Sequence, residues 1–251
     1  MDRFTVSLAG VPIEIIPKCE EMRSFFRDYL CEEKPVFSIA TTQKDLDDER
    51  AASDGVYEKE FGPIEWPDRR LEVMSIHRKA ACQMPRYGVI VFHGSTVALD
   101  GKAYLFTAPS GTGKTTHTRL WMEQRPEAYM LNGDKPFLKV TEDGRVLACG
   151  SPWRGKEKLG CNETLPLAAI CVLGRSAENH IREIQPREAA EFLLRSAYIP
   201  AGPANSLPAL RVLDRISRSV RMFRLECNME PEAARVSMAA MIGEKGKAGG
   251  A

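Results

Sequence analysis

The sequence predicts an α/β protein of α+β-like layout, a mixed β-sheet core flanked by helices and preceded by a small N-terminal α/β portion. Three observations carry this. Val89–Phe92, Thr96–Leu99 and Tyr104–Thr107 are short β-rich runs, the last two separated by the turn "LDGK". A glycine-rich stretch, "APSGTGKTT" at 108–116, follows the third run directly and opens onto the helical pattern "KTTHTRLWMEQ". Upstream of Gly88 the texture is different, mixing a hairpin, amphipathic helical patterns and a polar stretch. A soft boundary therefore falls near residue 86, between a small region at 1–86 and a core at 87–242. Strands of the first region joining the same sheet remain an open alternative. The small, polar tail 243–251 is expected to be disordered.

Each element has its own warrant. "FTVSL" and "PIEII" alternate around Ala9-Gly10, as the half-buried strands of a hairpin do. Met22, Phe25, Phe26, Tyr29 and Leu30 recur at helical spacing, and "PVFSIATT" reads as a short strand. The acid-rich "QKDLDDERAASDGVYEKEFG" is expected to be a mobile, solvated surface segment. A helix is expected from Pro67 to about Met84, with Leu71, Met74, Ala81 and Cys82 inward. Beyond the glycine-rich stretch, "AYMLNGD" is a strand ending in an acid, and "FLKV" and "RVLACG" flank the tight-turn pair Asp143-Gly144. "LAAICVL" reads as a fully buried strand, "NHIREI" alternates, and Pro186 suits the start of a helix through Ser196. "YIPAGPANSLP" is expected to be a connector, followed by a helix near Leu210–Arg218, the strand "VRMFRLEC" and a last helix from Pro231. The basic stripe Arg211, Arg215 and Arg218 is expected to be the solvated face of the helix near Leu210–Arg218, with docking of an acidic peptide as the alternative.

Bulk properties narrow the function classes. With 35 basic and 34 acidic residues among 251, the net charge of +1 gives no electrostatic case for nucleic acid or an anionic membrane as partner. Seven cysteines, an odd number with no C-x-x-C pair, exclude a paired structural zinc site and read as free thiols in apolar surroundings. No apolar run approaches the roughly 20 residues of a membrane span, and "MDRFTVSLAG" lacks the pattern of a signal peptide. A cytoplasmic protein is expected.

The glycine-rich stretch is a phosphate-binding loop with one departure from G-x-x-x-x-G-K-[ST], Ala108 in the first position. Such a loop works mainly through its backbone, whose successive N–H groups wrap a phosphate while the following helix adds its positive end. Ser110, Gly111, Thr112, Gly113, Lys114, Thr115 and Thr116 are the expected nucleotide contacts. Lys114 would reach the β- and γ-oxygens and Thr115 the metal ion. An alanine can leave the strand here as long as its φ stays negative. ATP with Mg²⁺, or Mn²⁺ as the alternative, is the expected cofactor.

"FHGSTVALDGKAYLFTAPSGTGKTTHT" resembles the region shared by HPr kinase/phosphorylase and ATP-dependent phosphoenolpyruvate carboxykinase. The likeness is greatest to the HPr-kinase-related P-loop kinases of that carboxykinase-like superfamily. It rests on the loop, on His93-Gly94-Ser95 ahead of it, on Asn132-Gly133-Asp134, and on Gly150-Ser151-Pro152-Trp153-Arg154-Gly155-Lys156. It spans about Val89 to Gly174. The resemblance implies a mixed-sheet P-loop core distinct from Rossmann-like P-loop proteins, and a kinase that phosphorylates a hydroxyl. It implies a place for His93 beside the phosphates or on a divalent metal. Both families carry two adjacent aspartates where this chain has Asp134-Lys135, and no glutamate matches the HPr kinase signature segment.

Phosphoryl transfer needs positioned charge and an acceptor for the hydroxyl proton. Asp134 is the candidate for that proton or for the metal, with Thr115 and His93 as the other metal candidates. Arg154 and Lys156 are candidate clamps on the γ-phosphate; as alternatives, Asp134 is a turn residue, His93 a hydrogen-bonded strand-end histidine, and the two cations solvated charges. The functional expectation is an ATP-dependent kinase acting on serine of a peptide or small protein, or on a metabolite hydroxyl. The alternatives are an ATP-binding sensor with reduced catalysis, motivated by Lys135, and a carboxykinase-like enzyme. Homo-oligomerisation is left open.

Overall fold

The computed structural model describes residues 2–61 and 65–243, so the tail at 244–251 lies outside the described residues. The chain divides into two compact units, Met1–Tyr87 and Gly88–Ala251. No helix among the described residues is long and apolar enough to cross a membrane.

In the first unit β1 (Phe4–Leu8) and β2 (Val11–Ile16) form the hairpin expected around Ala9-Gly10, with Leu8 opposite Val11. β3 (Phe37–Ala40) adds to β2 in parallel. The helix expected over Met22–Leu30 is shorter: α1 (Met22–Phe25) gives way to a 3-10 turn over Arg27–Tyr29. The break comes at Phe26, which leaves the helical region (φ −94°, ψ 10°), yet Met22, Phe26 and Tyr29 are still all buried. The acid-rich stretch expected to be mobile is instead helix α2 (Gln43–Phe61). Its start is capped reciprocally: Thr42 N donates to Asp45 Oδ2 (2.7 Å) and Asp45 N to Thr42 Oγ1 (3.3 Å). Leu46 is buried, and Glu49 takes a bidentate bond from Arg78 (2.7 and 2.8 Å) on α3 (Asp68–Gln83). A sparse apolar pattern hid these partners.

In the second unit nine strands form one mixed sheet. β4 (Val89–Val91), β8 (Phe137–Val140), β9 (Val146–Cys149), β10 (Thr164–Arg175), β6 (Lys102–Thr107), β5 (Ser95–Leu99) and β7 (Tyr129–Asn132) run across it in that order. β12 (Arg221–Cys227) pairs with β10 and carries β11 (His180–Glu183). β10 joins two regimes, pairing antiparallel to β9 through Thr164–Pro166 and parallel to β6 and β12 further on. Its register against β6 shifts between Leu167 and Ala169.

Alternating side chains divide this unit's core in two. Ala103, Leu105, Ile170 and Met222 face a layer formed by α5 (Pro186–Ser196) and α6 (Pro203–Ser219). Tyr104, Phe106, Cys171 and Phe223 face α4 (Lys114–Gln124) and α7 (Pro231–Ile242), where Trp121, Met238 and Met241 close the other layer. α6 starts well before the expected Leu210 and takes up part of the supposed connector. Pro203 occupies its first turn, where no N–H is needed, after Gly202 at φ +83°. Pro208 lies inside it.

Candidate functional site

The glycine-rich loop joins the buried end of β6 to the N-terminus of α4, at one rim of the sheet. Ala108 is buried and is not among the non-glycine residues with positive φ, so the alanine fits the strand exit. Gly111 (φ +75°) and Gly113 (φ +118°, the N-cap of α4) supply the left-handed turns. Ser110, Gly111 and Thr116 are exposed, while Thr112, Gly113, Lys114 and Thr115 are half-buried. Thr112 bonds Pro109 O through both its N–H (3.3 Å) and its hydroxyl (2.9 Å). Lys114 Nζ donates to Ala108 O (3.0 Å) and Pro109 O (3.4 Å), which keeps the ammonium over the loop. Burial lowers the Lys114 pKa, Asp134 opposes that shift and Lys135 adds to it.

Sequence reasoning missed Arg175. At the end of β10 it donates from Nη2 to Gly111 O, and from Nε to Thr112 O (3.5 Å). The loop's carbonyls are thereby held outward by a cation. The available signal was the charged residue that closes the buried run "AICVLGR", which lies parallel to the strand feeding the loop.

Opposite the loop, β7 ends at the fully buried Asn132. Its Oδ1 accepts from Asp134 N (3.0 Å) and Lys135 N (2.8 Å), and its Nδ2 donates to Ser151 O and Oγ (both 3.1 Å). Ser151 Oγ donates in turn to Lys135 O (2.6 Å) and accepts from Trp153 N (3.2 Å). One buried amide thus fixes the turn carrying Asp134 and the segment leading to Arg154. Gly155 (φ +76°) closes against the acid so tightly that a Cβ there would lie 2.8 Å from Asp134 Cβ.

Asp134 Oδ1 is 3.5 Å from His93 Nε2, and Oδ2 is 3.7 Å from Lys135 Nζ. His93 is held by its backbone: its N–H donates to Ser196 O (2.7 Å), and its O accepts from Thr107 Oγ1 (2.9 Å). Burial, then Lys114 and Lys135, lower the His93 pKa against the pull of Asp134, and the net effect disfavours the charged ring. Lys114, His93, Asp134 and Lys135 therefore form one electrostatic cluster at the loop. Arg154 is half-buried, with its carbonyl packed on Gly133, whereas Lys156 is exposed on the following turn. Trp153 is buried edge-on against Phe137 (6.0 Å between ring centroids, 88°), a packing role.

Among the described residues no three His, Cys, Asp or Glu side chains cluster as a metal site. The donors that the sequence offers are the Asp134 carboxylate, the His93 imidazole beside it and the Thr115 hydroxyl on the first turn of α4. That set fits an ion such as Mg²⁺, which keeps its waters and takes phosphate oxygens alongside one or two carboxylates.

Two clefts flank the loop. The larger, about 650 Å³, is bounded by His93, Thr107 and residues 109–112, with Ser196 across from them. The smaller, about 360 Å³, lies along Thr116, Leu120 and Met229. Thr112, Leu173 and Arg175 line both.

No family model matches the chain, and no curated protein matches it. Among solved structures, the chain is similar to the Hpr(Ser) kinase/phosphatase from Coxiella burnetii, with 10% identity and a TM-score of 0.35 over 62% of this chain and 99% of that one. The class that these observations define is a mixed α/β protein, with a sheet flanked by helices and a glycine-rich strand–loop–helix at its rim.

Proposed function

We propose that the chain is an ATP-dependent kinase, related to the HPr kinases, that transfers the γ-phosphate of ATP to a hydroxyl. Serine of a peptide or small protein is the acceptor, in the cytoplasm where ATP is supplied. The observation that carries this reading is the common cluster of Lys114 on the loop with Asp134 and His93 across from it. In the transfer the acceptor oxygen bonds to the γ-phosphorus, the bond to the β-bridging oxygen breaks, ADP leaves, and the hydroxyl proton goes to Asp134. Lys114 and the amides of the loop and the first turn of α4 bind the phosphates. Arg154, half-buried beside the acid's turn, and Lys156 add positive charge where negative charge spreads. Thr115, Asp134 and His93 are the residues that would hold the metal. When bound, Mg²⁺ supplies positive charge at the β/γ oxygens.

Two substitutions test the reading by calorimetry and labelled-ATP transfer into a cell extract. Lys114→Ala is expected to weaken Mg-ATP binding by about 100-fold, the loss of a charge-assisted contact. Asp134→Asn is expected to abolish labelling while leaving the nucleotide Kd within about threefold. The phosphates are bound mainly by Lys114 and the loop amides, and the amide oxygen of Asn still offers the metal a neutral ligand. Labelling that survives Asp134→Asn overturns the assignment of the proton acceptor.

A second reading, an ATP-binding sensor, is favoured by Lys135, whose ammonium stands 3.7 Å from the only carboxylate of the cluster. It expects nucleotide binding without turnover and a proteolysis pattern that changes with ATP.

A further inference from the structure

We propose that the larger cleft is the acceptor cleft, and that it selects a hydroxyl flanked by carboxylates on an acidic peptide segment. This rests on the kinase reading and names the substrate class for it. The two clefts are not equivalent. His93, the partner of Asp134, lines the larger one and is absent from the smaller. The reacting end of a nucleotide on the loop therefore faces the larger cleft. The smaller, with Leu120, Leu173 and the exposed Met229, is left for the nucleoside.

The larger cleft is one-sided in charge. Among the described residues no aspartate or glutamate lines it, and its charged residues are Arg175, Arg195 and Arg224. Arg175 is committed to the loop carbonyls. Arg195 and Arg224 stand beyond Ser196 and Phe192, each with a carboxylate partner outside the lining: Glu191 at 2.7 Å and Glu226 at 2.6 Å. The Arg195–Glu191 pair is exposed, weak and readily exchanged for an incoming carboxylate. The Arg224–Glu226 pair is part-buried and held more firmly, through Nε as well as Nη2. Arg224 also lies over the Phe192 ring, 5.2 Å from its centroid, so its planar fork is already oriented. At the floor, Thr107 Oγ1 lies 2.7 Å from Ser196 Oγ and donates to His93 O, while the backbone O of Ser196 accepts from His93 N. A peptide carboxylate on Arg195, beside Arg224, can thus coexist with a hydroxyl aimed at the His93–Asp134 pair, whereas a basic peptide finds no carboxylate in the lining itself.

The test is fluorescence anisotropy with two labelled peptides, a serine flanked by aspartates and a serine flanked by lysines, on the full chain saturated with Mg-AMPPNP. The aspartate peptide is expected to bind at least about 10-fold more tightly than the lysine peptide. Arg195→Glu, at an exposed position where folding is not at stake, is expected to erase most of that preference, and Arg195→Glu with Arg224→Gln all of it. Equal binding of the two peptides, or an unchanged preference in the double variant, overturns the proposal. So does loss of aspartate-peptide binding when Mg-AMPPNP is added to the nucleotide-free chain, which would make the cleft part of the nucleotide site. The readout needs no turnover, so acid-selective binding without phosphoryl transfer would defeat the kinase reading alone.

Discussion

His117 shows what a single buried ring does one turn into α4. Its Nε2 lies 2.9 Å from Ser237 Oγ, an oxygen that also accepts from Trp121 Nε1 (2.8 Å) and donates to Ala234 O (3.0 Å). The serine proton is thus spent on the carbonyl, and Nε2 is the ring's donor. Burial pushes the His117 pKa down to about 4. Below about pH 6.5 the unfolded chain takes up a proton that the folded ring refuses, so stability is full above that pH and falls towards pH 4, by about 3 kcal/mol. Urea denaturation at pH 7.5 and 4.5 is expected to show that loss, and His117→Gln a smaller one. His93, also lowered, has the same sign and remains in both proteins. At this scale the sequence was legible where chemistry is local: the loop, His93 and Asp134 announce themselves within a few residues of a strand end. Arg175 did not, because it acts on residues far away in the chain. Asn132 and Ser151 lie in segments that the sequence singled out, but the bond that joins them spans 19 residues and leaves no local sign.

Elements held by charge were the least legible. α2 carries no strong apolar stripe, and its cap and its Glu49–Arg78 pair cannot be read from composition. Glu72 is a sharper case, a fully buried carboxylate on a helix whose inner side was expected from Leu71, Met74, Ala81 and Cys82. It accepts from the backbone N–H groups of Lys18 and Cys19 (2.6 Å each) and from the Thr41 hydroxyl. Burial and then the Glu72 bond push the Cys19 thiol up to about 12. Glu72 thus joins α3 to the ends of β2 and β3. Glu72→Ala is expected to cost about 3 kcal/mol, the price of leaving several donors unanswered. The check is urea denaturation followed by far-UV circular dichroism.

At the scale of the whole molecule, every candidate site residue from His93 to Lys156, together with Arg175, Arg195 and Arg224, falls in the second unit. That unit has its own two-layered core on either side of the nine-stranded sheet. A fragment spanning 88–243 is therefore expected to fold and to bind Mg-AMPPNP with a Kd within about threefold of the full chain. Calorimetry on the fragment decides this, and a fragment that folds without binding would tie the first unit to nucleotide recognition. The strands of this unit were largely legible because their apolar runs are continuous. Their spatial order was not, since β10 pairs with both β9 and β6 through a register shift that no local pattern marks.

The Asn132 amide has a consequence for how this site tolerates change. Because it holds Asp134 by the backbone, the acid takes its address from the end of β7 rather than from the loop beside it. Residues 156 and 157 can then be exchanged, as a keyhole's surround can be redecorated, without moving the acid, even where the charge of Lys156 is lost. Position 155 is the exception: its positive φ and its closeness to Asp134 leave room there for a hydrogen atom and nothing larger.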